Sequence, residues 1–276
     1  NKRILYANIN EVFITKEIIR IIKIFLKKIK YKKKNKDLIG FSGQTIFHDP
    51  KNKYSLQLGS GQKIYKKLKI PVITNFRDND INNNGQGAPI GCFYHKYLIE
   101  KINRKSVILN IGGVSNITSI IGNKLIGFDS GPGNSLIDDL FYYYFNKRFD
   151  KNGKYAKKGH LIESIYSEYK KNSYFNKKFP KSLDKNHFNK YLIKLKKYKN
   201  YNAIHTASMM SVYAIIKSLE LLNPKINEVI LTGGGRKNLF ILNKLKTSLK
   251  TKEIHVNLID KYGLNGDLIE AQMFAF

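Results

Sequence analysis

Short apolar runs that end in glycine constrain the fold of this chain more than any other sequence feature. Three of them, at residues 37–43, 107–113 and 228–235, are typical of buried parallel strands followed by tight turns. A fourth run, at residues 124–131, contains an aspartate just before its final glycine. Such runs predict a sheet whose strand ends carry the glycine turns.

Helical spacing of apolar residues occurs between these runs. It predicts helices at residues 134–145, 206–222, 237–249 and 267–276. Strands that alternate with helices indicate an α/β fold, in which ligands bind at the carboxyl ends of the strands. Residues 150–202 are rich in Lys, Asn and Tyr with weak periodicity, so this segment is either a helical insertion or a long excursion over the active site.

A further amphipathic helix is predicted from Thr15 to about Lys34, with Thr15 as its N-cap and Glu17 in the first turn. The helix is basic, so it could lie on a membrane surface. The commoner arrangement is a helix that covers a sheet and keeps its lysines in water. Its most apolar stretch, residues 18–29, contains four basic residues and cannot span a bilayer.

Composition describes a globular chain with a large positive charge. The 276 residues are 42% hydrophobic and 25% charged, with a formal net charge of +30. A charge of this size favours polyanions, but the excess is lysine and only six residues are arginine, the side chain that specific nucleic-acid sites prefer. The chain is also rich in Ile, Asn, Tyr and Phe, which have A/T-rich codons as lysine does, so the base composition of the genome accounts for the lysine excess. We therefore expect no specific nucleic-acid partner. The single cysteine, Cys92, cannot form an internal disulfide and indicates a reducing compartment.

Three glycine-rich segments carry the candidate chemistry. Asn110-Ile-Gly-Gly-Val-Ser-Asn116 combines a diglycine with two amide side chains, a pattern that lets backbone N–H groups approach an anion or simply makes a tight turn. Asp129-Ser-Gly-Pro-Gly-Asn134 places a carboxylate before a helix, where it is either a general base or a turn residue. Gly233-Gly-Gly235 permits close approach of a flat ligand or a phosphate. No Walker loop occurs in the chain.

Two further segments carry polar side chains in loops. Gly43-Gln-Thr45 is followed by His48, and Phe76-Arg-Asp78 is followed by Gly85-Gln-Gly-Ala-Pro89. Glutamine, histidine and arginine in loops are suited to hydroxyl and carboxylate groups of a polar ligand. Each segment alone is satisfied by an ordinary turn.

In this order the segments resemble the anhydro-N-acetylmuramic acid kinases. The motifs are GQT-x-x-H-x-P, FR-x-x-D, GQGAP, NIGG-x-x-N, D-x-GPGN, GGG-x-x-N and a late D-x-x-EA, and they run from about residue 35 to the end. The resemblance implies the actin-like ATPase and sugar-kinase superfamily, with two ribonuclease-H-like lobes and an interlobe cleft. It also implies phosphorylation of 1,6-anhydro-N-acetylmuramic acid by ATP with Mg²⁺, coupled to hydrolytic opening of the anhydro ring, in cytoplasmic recycling of cell-wall sugars.

The resemblance also implies roles for individual residues. Asp129 would be the catalytic base that activates water. The sugar would contact Gln44, His48, Arg77, Gln86 and, with an undefined role, Glu270. Lys181 and Ser182, after Pro180, resemble the family's PKS segment from the substrate lobe. The nucleotide would contact Asn110, Gly112, Gly113, Asn116, Gly131, Gly133, Asn134, Gly233, Gly234, Gly235 and Asn238. Metal ligands stay unassigned, and the family resemblance implies a homodimer.

The resemblance further implies a domain division. Lobe I would comprise residues 1–105, lobe II residues 106–262 with the insertion at about 150–202, and residues 263–276 would form a closing helix that returns to lobe I. The family's N-terminal Ser-Gly-Thr-Ser-x-Asp-Gly hairpin, which grips the ATP phosphates, has no counterpart before Gly43. Two hypotheses therefore remain at this point: an active kinase, and a truncated remnant that binds sugar or nucleotide without turnover.

Overall fold

A computed structural model describes residues 2–184, 186–222 and 226–276, with side chains from residue 10 onward. The chain divides into two compact units, residues 1–90 with 271–276 and residues 91–270. In this division helix α4 (Cys92–Ile102) belongs to the second unit, whereas the predicted lobe I, residues 1–105, includes it. The mixed α/β class is confirmed, and the lobe boundaries and lobe type stay predictions.

The first unit begins with helix α1 (Lys2–Lys28), which is longer at its start and shorter at its end than predicted. Thr15 is therefore not an N-cap but a buried residue in mid-helix. Its hydroxyl donates to the carbonyl of Glu11 at 2.7 Å and accepts the N–H of Ser60 at 3.0 Å. Periodicity predicted a helix here but not its first residue, and three of its predicted apolar positions, Ile21, Phe25 and Ile29, are exposed.

Short strands complete the first unit. Strand β1 (Ile39–Gly40) pairs in parallel with β4 (Val72–Ile73), and β2 (Gln44–Asp49) forms a hairpin with β3 (Tyr54–Leu58). The predicted strand at 37–43 is therefore wrong in extent. Strand β4, the partner of β1, is short because Pro71 before it has no N–H to donate and Asn75 after it has a φ of 60° that ends the extended backbone. Helices α2 (Gly61–Leu68) and α3 (Asp78–Asn82) flank β4.

The second unit contains a five-stranded sheet in the order β7-β6-β5-β8-β9. Strands β5, β8 and β9 are parallel, whereas β5, β6 and β7 form an antiparallel meander. The predicted strands at 107–113, 124–131 and 228–235 are present. Strand β6 is not among the predicted strands, because its polar residues interrupt the apolar run. The strands are β5 (Ser106–Ile111), β6 (Val114–Ile121), β7 (Lys124–Pro132), β8 (Glu228–Thr232) and β9 (His255–Leu258).

Helices cover both faces of this sheet. On one face, Leu109, Ile117, Phe128 and Leu231 belong to a buried cluster that also takes in side chains of α5, α8 and α9. On the other face, α4 contacts β5, β6 and β7. The predicted helices match α5, α8, α9 and α10, and 150–202 is a helical insertion that contains α6 and α7. Their bounds are α5 (Ser135–Phe145), α6 (Glu163–Lys170), α7 (Asn189–Leu195), α8 (Asn200–Glu220), α9 (Leu239–Lys250) and α10 (Ile269–Ala275).

No helix in the part of the chain that the structure describes is both long and apolar enough to cross a membrane.

Candidate active site

A row of polar residues crosses the sheet of the second unit where the glycine turns begin. Asp129 of β7 pairs with Asn116 of β6, Asn116 with Asn110 of β5, and Asn110 with Thr232 of β8. Directly paired residues point to the same face, and this face is opposite to the one that carries Leu109 and its buried neighbours. The hydroxyl of Thr232 lies 3.4 Å from Oδ1 of Asn110, consistent with this arrangement. Three of the predicted site residues therefore share one row.

Asp129 is almost fully buried, with 6% of its surface exposed. Its N–H donates to the carbonyl of Lys181 at 3.0 Å, and its own carbonyl accepts the hydroxyl of Tyr174 at 2.6 Å. Oδ2 of the carboxylate accepts the N–H of Leu183 at 2.8 Å. Burial raises the pKa of the Tyr174 hydroxyl far above its usual range, and the negative charge of Asp129 adds to this effect. Tyr174 thus stays protonated and remains a donor to the Asp129 backbone.

The diglycine turn after β5 is bonded to the start of α5. The N–H groups of Gly133 and Ser135 donate to the carbonyl of Gly113 at 2.9 and 3.1 Å, and the N–H of Asn134 donates to Gly112 at 2.8 Å. A side chain at Gly133 would overlap the Gly112 carbonyl, so glycine permits this close approach. The predicted phosphate loop is therefore tied to the D-x-GPGN segment, and the N–H groups of Asn134 and of Ser135, the first residue of α5, are already bonded to carbonyls.

The triple-glycine loop after β8 lies beside the same two segments. Gly233 has a φ of 75° and faces Oδ1 of Asn110, while Gly235 packs against Ile111 and the amide of Asn134. Gly234 is exposed, and nothing lies within 4 Å of the position that a Cβ would occupy there. The structure therefore brings the three glycine segments together and leaves one open backbone position among them.

A buried arginine, which is not among the predicted site residues, holds the triple-glycine loop. Arg236, 4% exposed, donates to the carbonyl of Gly233 at 3.1 Å, to Asp260 at 2.9 Å and to Asp267 at 3.0 Å. The hydrogen bond from Arg236 holds the pKa of the Asp260 carboxyl below its usual value. An arginine directly after the glycines, with aspartates further along, is the only sequence signal for this network.

Two other predicted residues have different surroundings. The side chain of Asn238 caps α9 by accepting the N–H groups of Phe240 and Ile241 at 3.1 and 3.3 Å. Glu270 is exposed in the first turn of α10. Asn238 thus has a structural role that accounts for its presence after the glycines.

In the first unit, Arg77 is bonded to the loop that contains Gln86. Nη1 of Arg77 donates to the carbonyl of Gly87 at 2.7 Å, and the carboxylate of Asp80 accepts the N–H of Gly87 at 2.6 Å. The FR-x-x-D and GQGAP segments, which are separate motifs in the sequence, therefore form one bonded loop.

Gln44 and His48 lie on the β2–β3 hairpin of the same unit. His48 is half-buried, and its Nδ1 is 3.0 Å from the hydroxyl of Ser55 on the opposite strand. Gln44 is exposed at the start of β2. Four of the five sequence-predicted sugar-binding residues thus lie on two loops or turns, two on this hairpin and two in the bonded Arg77 loop, while Glu270 lies on α10.

Among the side chains that the structure describes, no three histidine, cysteine, aspartate or glutamate residues are grouped as a metal site would require.

Comparison with known proteins gives a consistent result. A family model described as anhydro-N-acetylmuramic acid kinase matches residues 8–276. The anhydro-N-acetylmuramic acid kinase of Pelagibacter ubique is 37% identical over 249 residues, covering 87% of this chain and 66% of that protein. The enzyme of the same name from Rhodopseudomonas palustris strain HaA2 is 36% identical, covering 87% of this chain and 65% of that protein. The chain thus spans slightly less than two thirds of the length of these curated relatives.

Among solved structures, the activator of the 2-hydroxyisocaproyl-CoA dehydratase from Clostridium difficile with bound ADPNP is similar over 80% of this chain and 83% of that one. The TM-score is 0.45 and the sequence identity 14%. A likeness at this level leaves the type of fold undecided.

Proposed function

The chain belongs to the anhydro-N-acetylmuramic acid kinase family, and we propose that it phosphorylates 1,6-anhydro-N-acetylmuramic acid with ATP while water opens the anhydro ring. One observation carries the proposal: the buried carboxylate of Asp129 stands in one row with Asn116 and Asn110, beside three glycine segments. Base-assisted phosphoryl transfer requires a carboxylate that is held in place next to glycine-rich backbone, which phosphate groups can approach closely.

The proposed reaction balances as a hydrolysis coupled to phosphoryl transfer. A water molecule attacks C1 of the sugar and gives its proton to the carboxylate of Asp129. The bond between C1 and O6 breaks, and O6 forms a new bond to the γ-phosphorus of ATP. The bond between this phosphorus and the bridging oxygen breaks, which releases ADP and N-acetylmuramic acid 6-phosphate.

The glycine segments are the proposed nucleotide contacts. Gly234 is the best-supported of these positions, because its backbone is exposed and free of neighbouring atoms on the Cβ side. We propose that the Asn110–Asn116 turn and the 131–134 segment face the phosphates, and that residues 233–235 border the adenosine. Mg²⁺ in such sites is held by one or two carboxylates and the phosphates together. It would neutralise charge on the phosphates, and its protein ligands stay unassigned.

The sugar is proposed to contact the side chains of Gln44, His48, Arg77 and Gln86, with Glu270 as a further candidate. Amides, an imidazole and a guanidinium can bind hydroxyl groups and the lactyl carboxylate of such a sugar. We place the reaction in cytoplasmic recycling of cell-wall sugars, and the homodimer stays a prediction.

The test is ATP-dependent phosphorylation of 1,6-anhydro-N-acetylmuramic acid by this chain, compared with Asp129→Asn. Loss of a positioned base is expected to lower kcat by roughly 10²–10⁴-fold. Asp139→Asn, on a half-buried position of α5, is the matched control and should retain wild-type kcat. Binding of both substrates without turnover in the wild type would support the remnant hypothesis, and turnover that is unaffected in Asp129→Asn would exclude Asp129 as the base.

A further inference from the structure

One short part of the insertion, which we call the 174–183 segment, holds Asp129 on several sides. It supplies the hydroxyl of Tyr174 to the Asp129 carbonyl and the carbonyl of Lys181 to the Asp129 N–H. It also supplies the N–H of Leu183 to Oδ2 of the carboxylate. Since β7 is an edge strand of the sheet, the Lys181 bond continues the hydrogen bonding beyond that edge. The orientation of the carboxylate thus depends on where this segment lies.

The side chain of Lys181 connects the two parts of this arrangement. Its ammonium nitrogen lies 4.5 Å from the ring centre of Tyr174 and 5.5 Å from that of Phe128, the residue before Asp129. It also donates to the carbonyl of Tyr174 at 3.2 Å. The ammonium therefore contacts the strand that carries Asp129 and the segment that holds Asp129.

Burial of this lysine is unusual within the chain. Lys181 is 6% exposed, and it is the only lysine in the buried class among the residues that the structure describes. Burial lowers the pKa of its ammonium to about 8, and the positive charge of Lys177 acts in the same direction. A buried ammonium has a desolvation cost that only specific contacts offset, and aromatic faces and a carbonyl provide such contacts.

We propose that Lys181 is a positioning residue for the proposed kinase reaction, joining Phe128 to Tyr174 so that the N–H of Leu183 meets the carboxylate of Asp129. The inference rests on the proposed function of Asp129. In this arrangement the N–H of Leu183 holds Oδ2 of Asp129, and this bond fixes the orientation of the whole carboxylate group. Lys181 acts through Asp129 and the backbone of Leu183, and it needs no contact with either substrate.

The test compares Lys181→Met, which keeps an unbranched apolar side chain of similar length, with Lys181→Arg, which keeps the positive charge. Lys181→Met should lower kcat by roughly 10- to 100-fold, because small displacements of a reacting group have effects of this size. KM for ATP and for the sugar should change less than about twofold, since ground-state binding is not involved. Lys181→Arg should recover most of kcat, and Lys178→Met, at an exposed position of the segment, should match the wild type.

A second measurement does not depend on turnover. Hydrogen exchange of the Leu183 amide, followed by NMR in the folded chain, should be about tenfold faster in Lys181→Met than in the wild type, as expected for a locally loosened hydrogen bond. Lys181→Arg should keep most of the protection. Wild-type exchange together with wild-type kcat in Lys181→Met would overturn the proposal. Equal loss of kcat in both variants with unchanged exchange would also overturn it, because Lys181 would then contact substrate directly. If the wild type itself shows no turnover, the proposed function fails, while the exchange data still decide the role of Lys181.

Discussion

Leu183 donates its backbone N–H to Oδ2 of Asp129 at 2.8 Å, although 54 residues separate the two in the sequence. This bond makes the 150–202 insertion part of the candidate active site. The sequence is compatible with two interpretations of the insertion, a helical insertion and an excursion over the site. The structure combines features of both, since the insertion has helices of its own and contacts the proposed base.

Two glycines of the candidate nucleotide site should respond differently to substitution by alanine. At Gly131 an added Cβ would overlap the side chain of Ala214 on α8, so Gly131→Ala should lower the free energy of unfolding by about 1–3 kcal/mol. At Gly234 the space around an added Cβ is open, and Gly234→Ala should change the free energy of unfolding by less than about 0.5 kcal/mol. Urea denaturation measures both changes.

Because Gly234→Ala preserves the fold in this expectation, its effect on ligand binding can be read directly. Calorimetric titration with a non-hydrolysable ATP analogue should show weaker binding than in the wild type. Unchanged affinity would remove Gly234 from the proposed nucleotide contacts.

Arg236 should contribute more to stability than its acidic partner Asp267. Arg236→Met removes charge-assisted hydrogen bonds from a buried side chain and should cost about 1–3 kcal/mol of unfolding free energy. Asp267→Asn should cost less than about 1 kcal/mol, because Asp267 is 55% exposed and its ion pairs are screened by water. Equal effects in urea denaturation would contradict this ranking.

Thr15 should behave as a buried mid-helix residue and not as a helix cap. Thr15→Val keeps the shape of the side chain but leaves the N–H of Ser60 without this acceptor, so it should cost about 1–3 kcal/mol of unfolding free energy. Thr251→Val, at an exposed position after α9, is the matched control with an expected change within about 0.5 kcal/mol. Thermal or urea denaturation distinguishes the two, and a neutral Thr15→Val would show that the contact with Ser60 is dispensable.

His95 should make the fold sensitive to acid. The ring is buried on α4, its Nδ1 lies 2.9 Å from the hydroxyl of Thr118, and burial lowers its pKa to about 4. The unfolded chain, with a histidine pKa of about 6.5, binds this proton more readily than the folded chain. The free energy of unfolding is therefore unaffected by the titration of His95 above about pH 6.5. It decreases as the pH falls from about 6.5 to 4, because the unfolded chain is protonated at this histidine first.

This loss can be isolated by comparing the wild type with His95→Gln in urea at several pH values. The wild type should lose stability relative to the variant by up to about 1.4 kcal/mol per pH unit in that window. His160→Gln, at an exposed position, should show no such difference. An NMR titration of the His95 ring gives the folded pKa directly, and a value near 6.5 would contradict the prediction.

Much of the second unit could be predicted from local pattern. Strands β5 and β8, six and five residues long, each contain an apolar Val-Ile-Leu run, and α5, α8 and α9 have apolar residues at helical spacing. Strand β6 was missed because Ser115, Asn116, Thr118 and Ser119 interrupt its apolar residues. The antiparallel direction of β7 was not predictable either, because strand direction depends on which strands pair and not on the composition of one strand.

The sequence by itself predicted most of the local elements and the glycine turns, since each depends on residues close together in the chain, and the role of Asp129 as the base stays a prediction. Only the tertiary structure decided that Asp129, Asn116 and Asn110 form one row, because sheet register sets which side chains share a face. It also decided that Lys181, Tyr174 and Leu183 hold Asp129 and that Arg236 holds the Gly233 loop. These contacts join residues far apart in the chain, and their energies depend on burial and on the approach of particular donors and acceptors, which no periodic pattern records.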